Sequence, residues 1–285
     1  MTPNTSLANR LLGHPEDARL LIVNADDLGM SLPVNEGVAA AIEVAFVQST
    51  SLLVPGPGAS EAMQLLARHP EVDLGVHLTL VCDRPGWWGP VAAPGAVPSL
   101  VDASGHLFPY DRREEMLAQA RLEQVEAEFR AQIDAVLGAG LRPTHLDWHC
   151  LADGGRRDIF ELTVALARQQ HWAVRVHEPA RARELCGLGL PVAEHGVLDS
   201  YRLEPVGKPQ HYRQLLRDLP VGLSEWAVHP AVDRPRLREM EPGDWQRRSS
   251  DYEFLVSPEA REAIESEGVT LVGYADLQRV WSAAG

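Results

Sequence analysis

Cysteine is scarce in this chain of 285 residues. Only Cys82, Cys150 and Cys186 occur, irregularly spaced, which argues against a disulfide framework and for a reducing, cytoplasmic setting. Basic side chains are outnumbered, 26 Lys+Arg against 40 Asp+Glu for a net charge of −14. Nucleic acid and anionic membrane surfaces both need a basic face and are therefore not expected as partners. No basic patch offsets the deficit, since Arg181, Arg183 and the pair Arg247 and Arg248 are isolated. Long hydrophobic runs are missing from the opening MTPNTSLANRLLGHPEDARL, so neither a signal peptide nor a membrane span is expected there. What remains, 45% hydrophobic and 23% charged, is ordinary globular composition.

Short apolar runs alternate with longer amphipathic ones. Strands are expected at Leu20–Asn24, Gln48–Val54, Leu74–Leu80, Thr144–His149, Ala173–His177, Glu225–His229 and Val269–Gly273. Helices are expected at Pro33–Val44, Ala59–Arg68, Glu114–Leu137, Asp158–Gln169, His211–Leu216, Pro258–Glu267 and Tyr274–Ala284, the third stopped by Gly138–Gly140. Such alternation predicts an α/β fold with helical crossovers. About seven units fit a closed or incomplete (β/α) barrel of parallel strands better than a small open sheet. With no clean linker or internal repeat, residues 1–285 read as a single domain, residues 1–17 being a loosely ordered N-terminal segment. Cys82–Pro109 and Glu178–Pro209, rich in Pro and Gly, read as long loops. In the first, Trp87 and Trp88 offer either a stacking surface for a sugar or a hydrophobic plug.

Four expected strands carry unusual polar groups at or near their carboxyl ends, where β/α folds gather functional groups. They are Asp26 and Asp27 in LLIVNADDLG, His77 in GVHL, the THLDWH run of Thr144–His149, and His229 in EWAVHP. One aspartate after a strand is commonly a cap, and one buried histidine is commonly a satisfied core residue. Two adjacent aspartates are harder to dismiss, because neighbouring strand residues point to opposite faces and should have different tasks. His145, Asp147 and His149 alternate onto one face, where burial demands mutual pairing or a metal. Together the groups suggest one divalent cation held by a carboxylate and two imidazoles, with the second aspartate and a further histidine moving protons. A cation there would activate water and polarise a carbonyl oxygen, which gives metal-assisted hydrolysis of an amide or an ester.

The ordered set NADDLG, QSTSLLVPGPGASEA, GVHLTL, THLDWH, AVRVHEP and EWAVHP, spanning Leu20 to Leu277, resembles the motifs of YdjC-like carbohydrate deacetylases. That family includes chitooligosaccharide deacetylases and hopanoid-biosynthesis relatives. The resemblance implies a distorted β/α barrel that removes an N-acetyl group from an amino sugar or oligosaccharide with Zn²⁺ or Mg²⁺, and it allows a homodimer. By position, Asp27, His77 and His149 match the metal ligands, Asp26 the general base and His229 the general acid. Arg175 would be the charge partner of Asp26, with His145 and Asp147 orienting the ligands. The chain departs from the family pattern at Leu28, where Phe is usual. After THLD, Trp148, Cys150, Leu151 and Asp153 replace small residues, family histidines or their neighbours, which implies a changed pocket rim. The rival readings are a hydrolase of another amide or ester and, with less support, a sugar-binding relative without turnover. A binding module has no need of both an acid and a base.

Overall fold

The computed structural model describes residues 6–84 and 86–284. Its strands are β1 (Arg19–Leu28), β2 (Ser49–Leu52), β3 (Asp73–Leu78), β4 (Val81–Cys82), β5 (Phe108–Pro109), β6 (Pro143–Trp148), β7 (Ala173–Val174), β8 (Val197–Asp199), β9 (Gly222–Val228) and β10 (Thr270–Leu271). Seven of them form one parallel path, β7-β6-β3-β2-β1-β9-β8. The eighth, β10, takes the edge of β1 at Leu20 and Leu21, and β2 takes the same edge from Asn24 onward. No pairing joins β7 to β8 among the described residues, so the barrel is incomplete. Every β1 residue after Arg19 is buried, as in a parallel sheet covered on its faces.

Register decides which side chains meet. In β1 and β9 the pairing runs from Arg19 with Gly222 to Ala25 with Val228, so Asp26 and His229 emerge side by side. In β3 and β6, His77 faces Asp147 directly. Pairing of Leu146 with Val174 brings Arg175 out beside Asp147.

The helices Ala59–Arg68 and Pro258–Glu267 lie where the periodicity puts them. The long expected helix at Glu114–Leu137 is instead two, Arg113–Gln119 and Leu122–Gly138. Ala120 and Arg121 turn extended between them, and the Arg121 N–H donates to Ser99 Oγ at 3.0 Å. Part of the N-terminal segment also departs from expectation. Leu7–Leu12 is a helix capped by Ser6, and Glu194 accepts from the Ser6 hydroxyl (2.6 Å) and the Leu7 N–H (2.8 Å). Neither Pro/Gly-rich stretch is plain loop. The first holds β4 and β5, and the second holds the helix Pro179–Gly187 and β8. A helix at Trp245–Leu255 has no counterpart in the sequence expectation. No helix among the described residues is long and apolar enough to cross a membrane.

Candidate metal centre and active site

The carboxyl end of β1 does not keep the two-residue alternation. Its pairing with β2 shifts register between Ala25 and Leu28, and Asp27 adopts a left-handed backbone (φ 67°). Asx residues tolerate that conformation better than most, at a cost on the order of 1 kcal/mol. Gly29 follows at φ 97°, where a Cβ would stand 2.9 Å from the Leu53 carbonyl oxygen. The twist corrects the expectation that the aspartates face opposite ways: both reach the same cluster, Asp26 beside His77 and Asp147, and Asp27 beside His77 and His149.

Three donor atoms converge on one point. Asp27 Oδ1 lies 3.3 Å from His77 Nε2 and 3.0 Å from His149 Nδ1, with all three side chains buried. The other nitrogen of each imidazole is held from behind. His77 Nδ1 donates to Asp147 Oδ1 (2.9 Å), and His149 Nε2 meets Asp83 Oδ1 (2.7 Å). The second oxygen of Asp27 accepts from Arg248 (2.8 Å), whose Nε is fixed by Glu241 (2.7 and 3.0 Å). One carboxylate oxygen and two imidazole nitrogens, each backed by a hydrogen-bond partner, suit a divalent ion with coordination positions left over. The donor set thus fits a metal.

The electrostatics agree with this. Burial pushes the Asp27 carboxyl up, but Arg248 and then His149 outweigh it and hold the carboxyl well below the usual range. Burial pulls His77 down, but Asp147 and Asp27 lift it to about 9. His149 is likewise lifted well above its ordinary value, against burial, by Cys150, Asp83 and Asp27.

Beside the donors, Arg175 is buried and serves three carboxylates. It donates to both oxygens of Asp26 (2.7 and 2.8 Å) and to Glu225 (2.7 Å), and it stands 2.9 Å from Asp147. Burial raises Asp26, yet Arg175 prevails and the carboxyl is low. The same balance, with His77 adding to Arg175, keeps Asp147 low. For Glu225 burial wins over Arg175 and the carboxyl is raised, while the Tyr274 hydroxyl donates to it at 2.7 Å. His145 touches none of the three donor residues. It stacks on Tyr274 at 3.6 Å and approaches Ser51, and burial holds its imidazole down to about 3. His229, mostly buried, places Nε2 4.0 Å from Asp26 Oδ2.

The rim is built largely from the segments that follow β4 and β6. Trp88 is buried, donates to the Val81 carbonyl oxygen and meets His149 edge-on at 5.9 Å, so it plugs the loop against the site. Trp87, with Arg84, Arg236 and Met240, lines a cavity of about 190 Å³ next to it. Cys150 is exposed, with Sγ 3.3 Å from His149 Nε2. Asp153 accepts from the His177 and Glu178 N–H groups (2.8 and 3.0 Å) and so anchors the turn after Arg175. Sequence reasoning missed Asp83, Arg248 and Glu225. Asp83 lies in an irregular loop and Arg248 on the unforeseen helix, while Glu225, in EWAVHP, was overlooked beside His229.

An open parallel β/α barrel whose strand ends present an Asp-His-His donor set beside a buried Asp-Arg pair defines a metal-dependent hydrolase type of site. The chain belongs to the YdjC-like protein family, whose model matches residues 20–266. It is 31% identical over 263 residues to a carbohydrate deacetylase of Geobacillus stearothermophilus, covering 92% of this chain and 99% of that one. It is 30% identical over 264 residues to a chitooligosaccharide deacetylase of Serratia marcescens, covering 91% and 99%. A solved structure from Enterococcus faecalis V583 superposes with a TM-score of 0.76 at 27% identity, covering 91% of this chain and 99% of the other.

Proposed function

We propose that this chain is a carbohydrate deacetylase that hydrolyses the N-acetyl group of an amino sugar or acetylated saccharide, using one divalent cation, Zn²⁺ or Mg²⁺. The observation that carries the reading is the convergence of Asp27, His77 and His149 on one point, with Asp26 and His229 standing 4.0 Å apart beside it. When bound, the cation supplies positive charge that lowers the pKa of a water and polarises the acetyl carbonyl.

The remaining chemistry belongs to side chains of the chain itself. Arg175 keeps Asp26 ionised and fixes its plane, leaving a lone pair on Oδ2 to take the proton of the attacking water. His229 gives its proton to the departing nitrogen, so that acetate and a free amine leave. Asp147 and Asp83 hold the ligand rings in place, and Trp88 closes one wall. Three free thiols and the acidic surface support a cytoplasmic enzyme acting on a small molecule.

Elemental analysis of the purified protein, run with acetate-release assays on N-acetylated mono-, di- and oligosaccharides, tests the reading. Asp27→Ala should lose the metal, and Asp26→Asn should keep it while losing most turnover. A protein that takes up no divalent cation and releases no acetate from any of these sugars refutes it.

A further inference from the structure

Among the described residues, no carboxylate lies within hydrogen-bond reach of Nδ1 of the proton donor proposed above, Asp199 Oδ1 standing 3.9 Å from it. His229 Nδ1 lies 3.0 Å from Ser200 Oγ, and Ser200 Oγ lies 2.5 Å from Asp251 Oδ2. Ser200 follows β8, whose Asp199 pairs opposite Ala227 of β9, so it stands at the same sheet end as His229, one residue short of it in register. Asp251 is wholly buried on the helix Trp245–Leu255. Its Oδ2 also accepts from the His229 N–H (2.9 Å), while Oδ1 accepts from Tyr212 (2.7 Å) and pairs with Lys208 (2.6 Å), the one lysine of the chain.

Counting protons settles who donates. Three other donors converge on Asp251, which is therefore an ionised acceptor. The hydroxyl of Ser200 has a single hydrogen, and its shortest contact is to that carboxylate. Its oxygen is then left to accept, so His229 must carry its proton on Nδ1. We infer that Ser200 and Asp251 are positioning residues that fix His229 in the Nδ1–H tautomer and turn Nε2 toward Asp26 and the scissile amide.

This rests on the reading of His229 as proton donor and states how that donor is set. In the imidazolium, the Nε2–H bond breaks as the amide C–N bond does. The C–N electron pair stays on nitrogen and takes the proton, while Nδ1–H remains bonded to Ser200. The proton that Asp26 takes from water restores Nε2–H across the 4.0 Å gap. Hydrolysis is thus balanced as one water consumed for one acetate and one amine.

Two measurements test the inference. Long-range ¹⁵N–¹H correlation spectra at alkaline pH, with His229 assigned by its loss in His229→Gln among the 11 histidines, should show the Nδ1–H tautomer, lost or mixed in Ser200→Ala. A wild-type Nε2–H tautomer overturns the inference whatever the substrate. In kinetics with N,N′-diacetylchitobiose, Ser200→Ala should lower kcat about 10- to 100-fold with KM nearly unchanged. Ser200→Thr should recover most of it. Hydrolysis of 4-nitrophenyl acetate, whose leaving group needs no proton, should be unaffected in both. If His229→Gln is crippled on the amide while Ser200→Ala is normal, the positioning role fails and the donor stands. If His229→Gln itself is normal on the amide, the donor reading fails.

Discussion

Arg175→Met removes the one cation that, among the described residues, touches Asp26, Asp147 and Glu225 together. At an effective dielectric of 20 each guanidinium–carboxylate pair is worth about 4 kcal/mol, most of it offset by desolvation. Breaking a buried ion pair from one side nevertheless costs about 3–5 kcal/mol, because the partner charge stays behind. Here three carboxylates stay behind, so the loss should lie at the upper end, about 5 kcal/mol. Proton uptake limits it, beginning at Glu225, whose carboxyl burial already raises. A domain stable by about 5–15 kcal/mol would be left marginal.

The pH dependence carries the sign of the effect. In the wild type, Asp26 and Asp147 titrate below their unfolded values. They therefore stabilise the fold above about pH 3.9, and that contribution disappears as pH falls through the folded values. In Arg175→Met, Asp147 still has His77, but Asp26 and Glu225, left with the neutral Asn24 and Tyr274, should titrate above their unfolded values. They destabilise the fold at neutral pH and are relieved as pH falls through those raised values. The gap in unfolding free energy, read from urea denaturation with chelator present, should narrow between pH 7 and pH 5. Arg175→Lys, which keeps the charge and loses the two-pronged geometry, should fall between. A loss below about 1 kcal/mol at pH 7, or a gap that widens on acidification, refutes the account of Arg175 as the charge that makes the buried carboxylates tolerable.

Cation binding at Asp27, His77 and His149 should expel protons from both imidazoles, since His77 is lifted to about 9 and His149 well above its ordinary value. Calorimetry in buffers of different ionisation enthalpy should count about two protons released, with affinity rising from pH 6 to 9; affinity flat over that range would contradict the donor assignment. Asp83→Ala frees His149 Nε2 and should weaken cation binding about 10- to 100-fold with little change in stability. Unchanged affinity would remove Asp83 from the site. Gly37→Ala should cost about 1–3 kcal/mol of stability by overpacking, because its Cβ would stand 2.7 Å from the Pro230 carbonyl oxygen and the Ala231 Cα, backbone that cannot swing aside. Deacetylase turnover should fall with it as the segment after His229 is pushed, and a stable, fully active variant would show that this segment yields freely.

What could be read in the sequence is what hydrophobic periodicity and motif order encode. The core of β1 is an apolar run, while β3, β6 and β9 mix apolar residues with polar ones, and all four carry at or near their carboxyl ends polar groups that have no place in a buried sheet unless they are paired. Those ends gave Asp26, Asp27, His77, Asp147, His149 and His229 their candidacy. Two kinds of feature stayed hidden. One is local backbone geometry: strand alternation separates Asp26 from Asp27, and only the left-handed turn at Asp27 with the register shift against β2 brings them together. The same alternation put His145 with Asp147, and Ser51 does lie against both, but only Asp147 reaches a ligand donor while His145 stacks on Tyr274. The other is charge compensation from distant segments. The helix Trp245–Leu255 buries Arg248, Ser249, Ser250 and Asp251 along with Phe254 and Leu255, so most of its inward face is polar and only its last turn is apolar, too little to betray a helix. Its selection is electrostatic: Arg248 neutralises Asp27, 221 residues away in sequence, and Asp251 anchors Ser200 and His229. A buried acidic site must draw its countercharges from wherever the fold can supply them. The residues that make the site tolerable are therefore the ones whose sequence neighbourhood says least about their role.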